Sequence, residues 1–226
     1  MPMSSKATPT NSELAGQVAV VTGGGRGIGR AIAARLGAAG MTTAILARSA
    51  SEIEETARTI EQSGGRARPF AADVTDAAAV AKALQEIERS LGPVAVLVNN
   101  AAIPGPIGPF WETDVEQWWR TLDVNLRGGM LCARAVLPGM ISRRKGRIIN
   151  VASSAIPVAY FSSYATSKAA LVRFTETIAA EVRPHGISMF AVHASTTRNQ
   201  LSQEWTLAVA ARAWSPLALT RRRATR

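Results

Sequence analysis

The run Val18-Ala19-Val20-Val21 passes straight into Thr22-Gly23-Gly24-Gly25-Arg26-Gly27-Ile28-Gly29, and then into residues whose apolar positions, Ile28, Ile32 and Leu36, recur at helical spacing until Gly40. This reads as strand, tight turn and helix, a unit that needs a parallel partner strand and so commits the chain to an α/β architecture. Glycine suits the turn for three reasons: the bend is tight, a ligand's backbone approach tolerates no Cβ, and the helix must pack closely on the strand. The first amides of the helix then offer unpaired donors and a partial positive charge to an anion. A strand-turn-helix of this kind points to a dinucleotide. The rival phosphate loop GxxxxGK[ST] is absent, because no Gly-Lys pair occurs in the chain.

The unit repeats. TTAILAR precedes SASEIEETARTIEQSGG, ARPFAADV precedes TDAAAVAKALQEIERSLG with Thr75 and Asp76 where a helix cap belongs, and VAVLVNN precedes the Pro/Gly-rich AAIPGPIGPF. A long helix over Glu116–Ser142, a strand GRIINVAS, a helix over Ser162–Arg183 and a strand ISMFAVH follow. The expected fold is α/β, a doubly wound parallel sheet (Rossmann fold) in three α/β/α layers and a single domain. Residues 1–14 are expected to be a flexible lead, 15–215 the dinucleotide-binding catalytic domain, and 216–226 a basic, disordered tail. The loop 102–109, after the fourth strand, lies at the carboxyl end of the sheet, where such folds bind ligands, and is expected to be mobile.

Composition narrows the function. Apolar types make up 47% of the 226 residues and charged types 19%, enough for a full core. One cysteine, Cys132, excludes an intrachain disulfide and, with two histidines, leaves no usual ligand set for zinc, so no metal is expected. Cys132 lies in an apolar helical stretch and reads as a buried small hydrophobe. No apolar run is long enough for a membrane span and the N-terminus lacks a signal-like apolar region, so the cytoplasm is the expected address. The net charge of +10 suggests nucleic acid at first sight. Half of that excess falls after residue 197, ending in TRRRATR, and a terminal Arg run reads better as a solvated end, so nucleic acid is not an expected partner. His185 and His193 have no GxSxG elbow to serve, which leaves a Ser-His-Asp hydrolase without support. Trp111, Trp118 and Trp119 read first as core packing or an oligomer seam, and second as a pocket lining.

Together these motifs make the chain resemble the short-chain dehydrogenase/reductase family, over roughly Gln17 to His193. Its TGxxxGIG pattern matches Gly23, Arg26, Gly27, Ile28 and Gly29. Asp73-Val74 stands where the family's adenine-contacting acid follows strand three, and Asn99-Asn100-Ala101-Ala102 matches NNAG with Ala in last place. Asn125 matches the active-site Asn, Ser153 the active-site Ser, and Tyr164 with Lys168 the YxxxK pair. The resemblance implies catalytic roles for Asn125, Ser153, Tyr164 and Lys168. It implies cofactor contacts for Gly23, Arg26, Gly27, Ile28, Gly29, Asp73, Val74, Asn99, Ala101, Tyr164 and Lys168.

Tyr164 and Lys168 are four apart and project from one helix face, so a nearby ammonium is expected to lower the phenol's titration point. By resemblance, Ser153 holds the substrate oxygen and Asn125 seats a water that links Lys168 to solvent. Ser153 precedes Tyr164 by 11 residues, one or two fewer than the family pattern, so Ser153 is preferred over Ser154. At the end of the second strand, Ala47 replaces an acid that would bind the ribose of NAD, and Arg48 with Arg26 favours the 2′-phosphate of NADP. The expected function is hydride transfer between NADP(H) and a carbonyl or secondary-alcohol substrate, with Tyr164 as acid/base. The alternative is a dinucleotide-binding protein with impaired catalysis, because Ala194-Ser195 replaces the family's Pro-Gly and the chain stops some 30 residues later. A homodimer is expected through the helix bearing Tyr164 and Lys168 and the helix before it, since the final strand that builds a second seam is missing.

Overall fold

A computed structural model of the chain describes residues 11–153 and 159–193. Strands β1 (Val18–Thr22), β2 (Thr42–Ala47), β3 (Arg66–Ala71), β4 (Val94–Asn99), β5 (Gly146–Ala152) and β6 (Ile187–His193) form one sheet in the order β3-β2-β1-β4-β5-β6. Every pairing is parallel; Val20, for example, lies opposite Ala44 on one side and Leu97 on the other. The order reverses between β1 and β4, so the crevice of a doubly wound sheet opens between their carboxyl ends.

Successive strand residues point to opposite faces. Ala19, Val21 and Ile45 pack on one side with Ile53 and Ile60 of α3 (Ala50–Gln62), while α2 (Gly27–Ala38) contributes Ala33. Val18, Val20 and Leu46 pack on the other side with Val80, Leu84 and Ile87 of α4 (Ala77–Leu91), Val136 of α6 (Gly128–Arg143) and Val182 of α7 (Ser162–Val182). Burial on both faces is why these strands read as continuous apolar runs instead of alternating ones. Ser49 caps α3 by accepting from the Glu52 amide, and Asp76, not Thr75, caps α4 by accepting from the Ala78 and Ala79 amides.

Two features differ from expectation. At the end of the expected lead, α1 (Asn11–Leu14) is a helical turn and Leu14 packs against the core; just after it, the Gly16 amide donates to the Gly40 carbonyl. The long helix over Glu116–Ser142 is three pieces: α5 (Val115–Leu122), a π turn over Asp123–Arg127, and α6. Such a turn widens the helix by one residue and is common at functional sites. Bonds made by Asn125 hold it, and the absence of a side chain on Gly128 allows it to sit against Val74, whose Cγ2 lies 2.7 Å from where a Cβ would stand.

Cys132 is fully buried, which pushes its thiol up to about 12. Trp111 and Trp119 are 81% and 57% exposed, so neither packs in the core; Trp118 alone is partly covered and donates from Nε1 to Ser162 Oγ. Among the described residues no helix is long and apolar enough to cross a membrane, and no cluster of His, Cys, Asp or Glu could hold a metal. Residues 216–226 and the Ala194-Ser195 pair lie outside the described residues.

Candidate active site

The glycine turn leaves β1 at Thr22. Gly23 and Gly27 adopt positive φ of 63° and 54°, and at Gly29 a Cβ would stand 2.2 Å from the Gly23 carbonyl oxygen and 2.5 Å from Asn100 Nδ2. The turn is pinned from both sides. The Gly25 carbonyl accepts from Arg30 Nη2 at 2.7 Å and from the Thr56 hydroxyl at 3.1 Å. Across the crevice Asn100 Nδ2 donates to the Thr22 and Gly23 carbonyls, while Thr22 Oγ1 accepts from the Asn100 and Ala101 amides. Thr22, Arg30, Thr56 and Asn100 were not among the expected site residues; Arg30 reaches a carbonyl five residues away, whereas the roles of Thr22, Thr56 and Asn100 depend on partners far away in sequence. Arg26 occupies the N-cap of α2 with no capping bond from its side chain, and nothing lies within 4 Å of where a Gly27 Cβ would stand. An uncapped helix start behind an open glycine fits an anionic group such as a pyrophosphate. The dinucleotide expectation therefore fits the residues present.

Beyond the ends of β2 and β3, Arg48 and Asp73 form an ion pair, with Nη1 3.7 Å from Oδ2. Burial raises the Asp73 titration point, but bonds from the Thr75 amide and hydroxyl, with Arg48 and Arg120, outweigh it and hold the carboxyl below its ordinary value. The Val74 side chain belongs to the core, and the Asn99 side chain turns inward to the Gly129 carbonyl and Asn150.

The remaining residues meet at the carboxyl end of β5. Lys168 is 3% exposed; its Nζ donates to the Val151 carbonyl at 2.7 Å and lies 5.7 Å from the centre of the Tyr164 ring. Burial pulls the ammonium down to about 8. Ser153 is hydrogen-bonded to the Tyr164 hydroxyl. Ser154 lies outside the described residues. The phenol is shifted up, against expectation: burial raises it and outweighs the Ser153 bond that lowers it. A desolvated ammonium at this separation does not reverse that balance.

The Asn125 side chain is engaged on both sides by protein partners. Its Oδ1 accepts from the Ile103 amide at 2.8 Å, and its Nδ2 donates to the Ile103 carbonyl and to Ser167 Oγ. Both amide hydrogens are thus committed to protein partners, and the side chain acts as a clamp between the loop after β4 and α7. Ser167 passes the contact on to the Tyr164 carbonyl at 2.7 Å. The same loop is held at Gly108, whose amide donates to the Tyr160 carbonyl, and at Gly105, which fits closely between Thr121 and Ser163. It is a tethered wall of the site, not the mobile segment its Pro and Gly content suggests. His185 sits in the 3-10 turn after α7, and His193 ends β6.

A family model described as short chain dehydrogenase matches residues 17–209. The chain is 38% identical over 193 residues to the short chain dehydrogenase MYCFIDRAFT_6125 of Pseudocercospora fijiensis (strain CIRAD86), covering 84% of this chain and 62% of that protein. It likewise spans 64% of the short chain dehydrogenase pigC of Monascus ruber, at 35% identity and 82% of this chain. Among solved structures, a variant of actinorhodin polyketide ketoreductase with NADPH superposes with a TM-score of 0.83 at 31% identity, over 86% of this chain and 76% of that one. A metagenomic short-chain oxidoreductase in complex with NADP gives 0.78 at 36%, over 82% and 84%. NAD+-bound xylitol dehydrogenase gives 0.78 at 32%, over 80% and 70%.

Proposed function

The chain belongs to the short-chain dehydrogenase/reductase family, and from this we propose that it is an NADP-dependent oxidoreductase of the cytoplasm that interconverts a ketone and a secondary alcohol. One arrangement carries the reading: a buried lysine beneath a tyrosine whose hydroxyl meets a serine, at the same carboxyl edge of the sheet as an uncapped glycine turn. The nicotinamide, when bound, supplies or accepts the hydride. Tyr164 holds the proton that the substrate oxygen takes up. Its raised titration point keeps the phenol neutral at pH 7, the form a proton donor needs in the reductive direction. Ser153, bonded to that hydroxyl, orients the substrate oxygen beside it. Lys168 titrates near 8 and is mostly cationic at pH 7, so it favours the phenolate left after proton transfer. Asn125 keeps the loop wall in register with α7. Gly23, Gly27, Ile28 and Gly29 would hold the pyrophosphate, and Ala101 with the backbone of Asn99 and Val74 would border the nucleoside.

Adding NADPH while following tryptophan fluorescence, and then NADPH consumption with a panel of ketones, tests the reading. Binding with turnover supports it. Binding without turnover would favour a dinucleotide-binding protein with impaired catalysis, and no binding would defeat both.

Cofactor choice follows from Arg48. With Ala47 where an NAD-binding acid would stand, Arg48 and Arg26 meet the 2′-phosphate, and Asp73 already holds Arg48 at that edge. Arg48→Ala should raise the KM for NADPH by about ten- to hundredfold, the worth of one charge-assisted contact, and leave NADH use nearly unchanged. A parent enzyme that works as well with NADH would overturn the assignment. The same reading pairs two copies through α5, α6 and α7, where Trp119, Met130 and Ile141 are exposed. Light scattering should give the mass of a dimer, and a stable tetramer would contradict it.

A further inference from the structure

A line of buried polar side chains runs beneath the site without taking part in it. Asn99 Nδ2 donates to the Gly129 carbonyl at 3.1 Å, just past the π turn, and to Asn150 Oδ1 at 2.9 Å. Asn150 Nδ2 donates to Thr175 Oγ1 at 2.8 Å, and the Thr175 hydroxyl donates to the Leu171 carbonyl at 2.6 Å. Asn150 and Thr175 are 0% and 2% exposed, and Asn99 Oδ1 is buried with no partner. Apolar side chains would fill this space without leaving an orphaned acceptor, so the line is costly as packing alone.

Its position suggests what it does. Thr175 stands two helical turns beyond Lys168 on the same face of α7, and Asn150 immediately precedes Val151, whose carbonyl receives Lys168 Nζ. Two rungs therefore join α7 to β5: Asn150 to Thr175, and Val151 to Lys168. A slide or tilt of the helix would break both. We propose that Thr175 is a positioning residue: through Asn150 its hydroxyl fixes the height of α7 over β5, and so places Lys168 on the Val151 carbonyl and Tyr164 beside Ser153. The inference takes its functional meaning from the oxidoreductase reading, but its test does not need turnover.

Two substitutions separate hydroxyl from shape. Thr175→Val keeps the branched outline and removes the hydroxyl, whereas Thr175→Ser keeps the hydroxyl and removes the methyl. The readout is the titration of Lys168 in protein labelled with carbon-13 at lysine Cε. The chain has four lysines, Lys6, Lys82, Lys145 and Lys168, and Lys168→Gln assigns the buried one. Burial alone holds Lys168 near 8, so a helix that settles differently admits water and lets it rise toward 10.5. Thr175→Val should raise the midpoint by about half a unit or more, and Thr175→Ser should stay within about 0.2 of the parent. With NADPH and a reducible ketone, Thr175→Val should also lose about tenfold in kcat with the NADPH KM within about twofold. If Thr175→Val is too unstable to titrate, Thr175→Ala removes the same hydroxyl and gives the same comparison. Thr175→Ser moving the midpoint as far as Thr175→Val, or Thr175→Val leaving it in place, would overturn the proposal. The expected titrations in a protein that reduces no ketone would uphold the positioning role and remove the oxidoreductase reading.

Discussion

Tyr164→Phe is expected to lose about 10²- to 10⁴-fold in kcat for NADPH-dependent ketone reduction, the usual range for one general acid, while binding NADPH within a few-fold of the parent. The substitution deletes only the hydroxyl that meets Ser153. The ring remains, and with it the face that Lys168 approaches at 5.7 Å, so packing and the ammonium's position change little. Lys168→Ala makes the contrasting case. It removes both the cation and a buried aliphatic stem, and should damage binding and turnover together. Single-turnover rates alongside fluorescence titration separate the two. A Phe variant that kept a tenth of the parent's kcat would show that Tyr164 is not the acid.

Gly29→Ala is the second large effect. Its Cβ would stand 2.2 Å from the Gly23 carbonyl oxygen and 2.5 Å from Asn100 Nδ2, and neither can step aside. The carbonyl is backbone, and the amide is itself bonded to the Thr22 and Gly23 carbonyls. The turn must open, which as overpacking costs roughly 1–3 kcal/mol and lowers Tm by roughly 2–12 °C. NADPH binding should fall by about a hundredfold or more, because the first amides of α2 move with the turn. Gly27→Ala makes an instructive control. Nothing lies within 4 Å of its Cβ, so at a φ of 54° it meets only the strain of a left-handed residue, about 1–2 kcal/mol. It should lose about 2–8 °C in Tm through that strain alone, and bind NADPH poorly. Equal melting and equal binding for Gly29→Ala and the parent would refute the close approach.

The strands and the glycine turn were legible in the sequence because each rests on local chemistry. Val18–Val21 reads as a buried strand, and the glycines between it and a helical pattern read as a tight turn that a phosphate group can approach. Tyr164 and Lys168 were legible as a pair because they match the family's YxxxK motif, and a separation of four residues puts them on one helix face. What stayed hidden depends on partners distant along the chain. Apolar periodicity over Glu116–Ser142 cannot register one extra residue, so the π turn at Asp123–Arg127 was invisible; it exists because Asn125 finds Ile103 and Ser167. Proline and glycine content suggested a mobile loop after β4, but Gly105 is there to let the chain pass between Thr121 and Ser163. The upward shift of Tyr164 was unreadable too. Sequence supplies the neighbouring cation, and only the fold supplies the burial that outweighs it.

The reversal of strand order has a consequence for chain connectivity. Val20 finds Ala44 after a short crossover, but it finds Leu97 only after both β2 and β3 have intervened. Closing that longer loop costs about 1 kcal/mol more in chain entropy than closing the shorter one. The bonds from Asn100 to Thr22 and Gly23 stand at the mouth of this same joint and offset part of that cost. The crevice that faces the ligand is therefore also the seam at which the sheet is least favoured by its own covalent order. A dinucleotide lying across it would join two halves of the molecule that the backbone connects only at a distance.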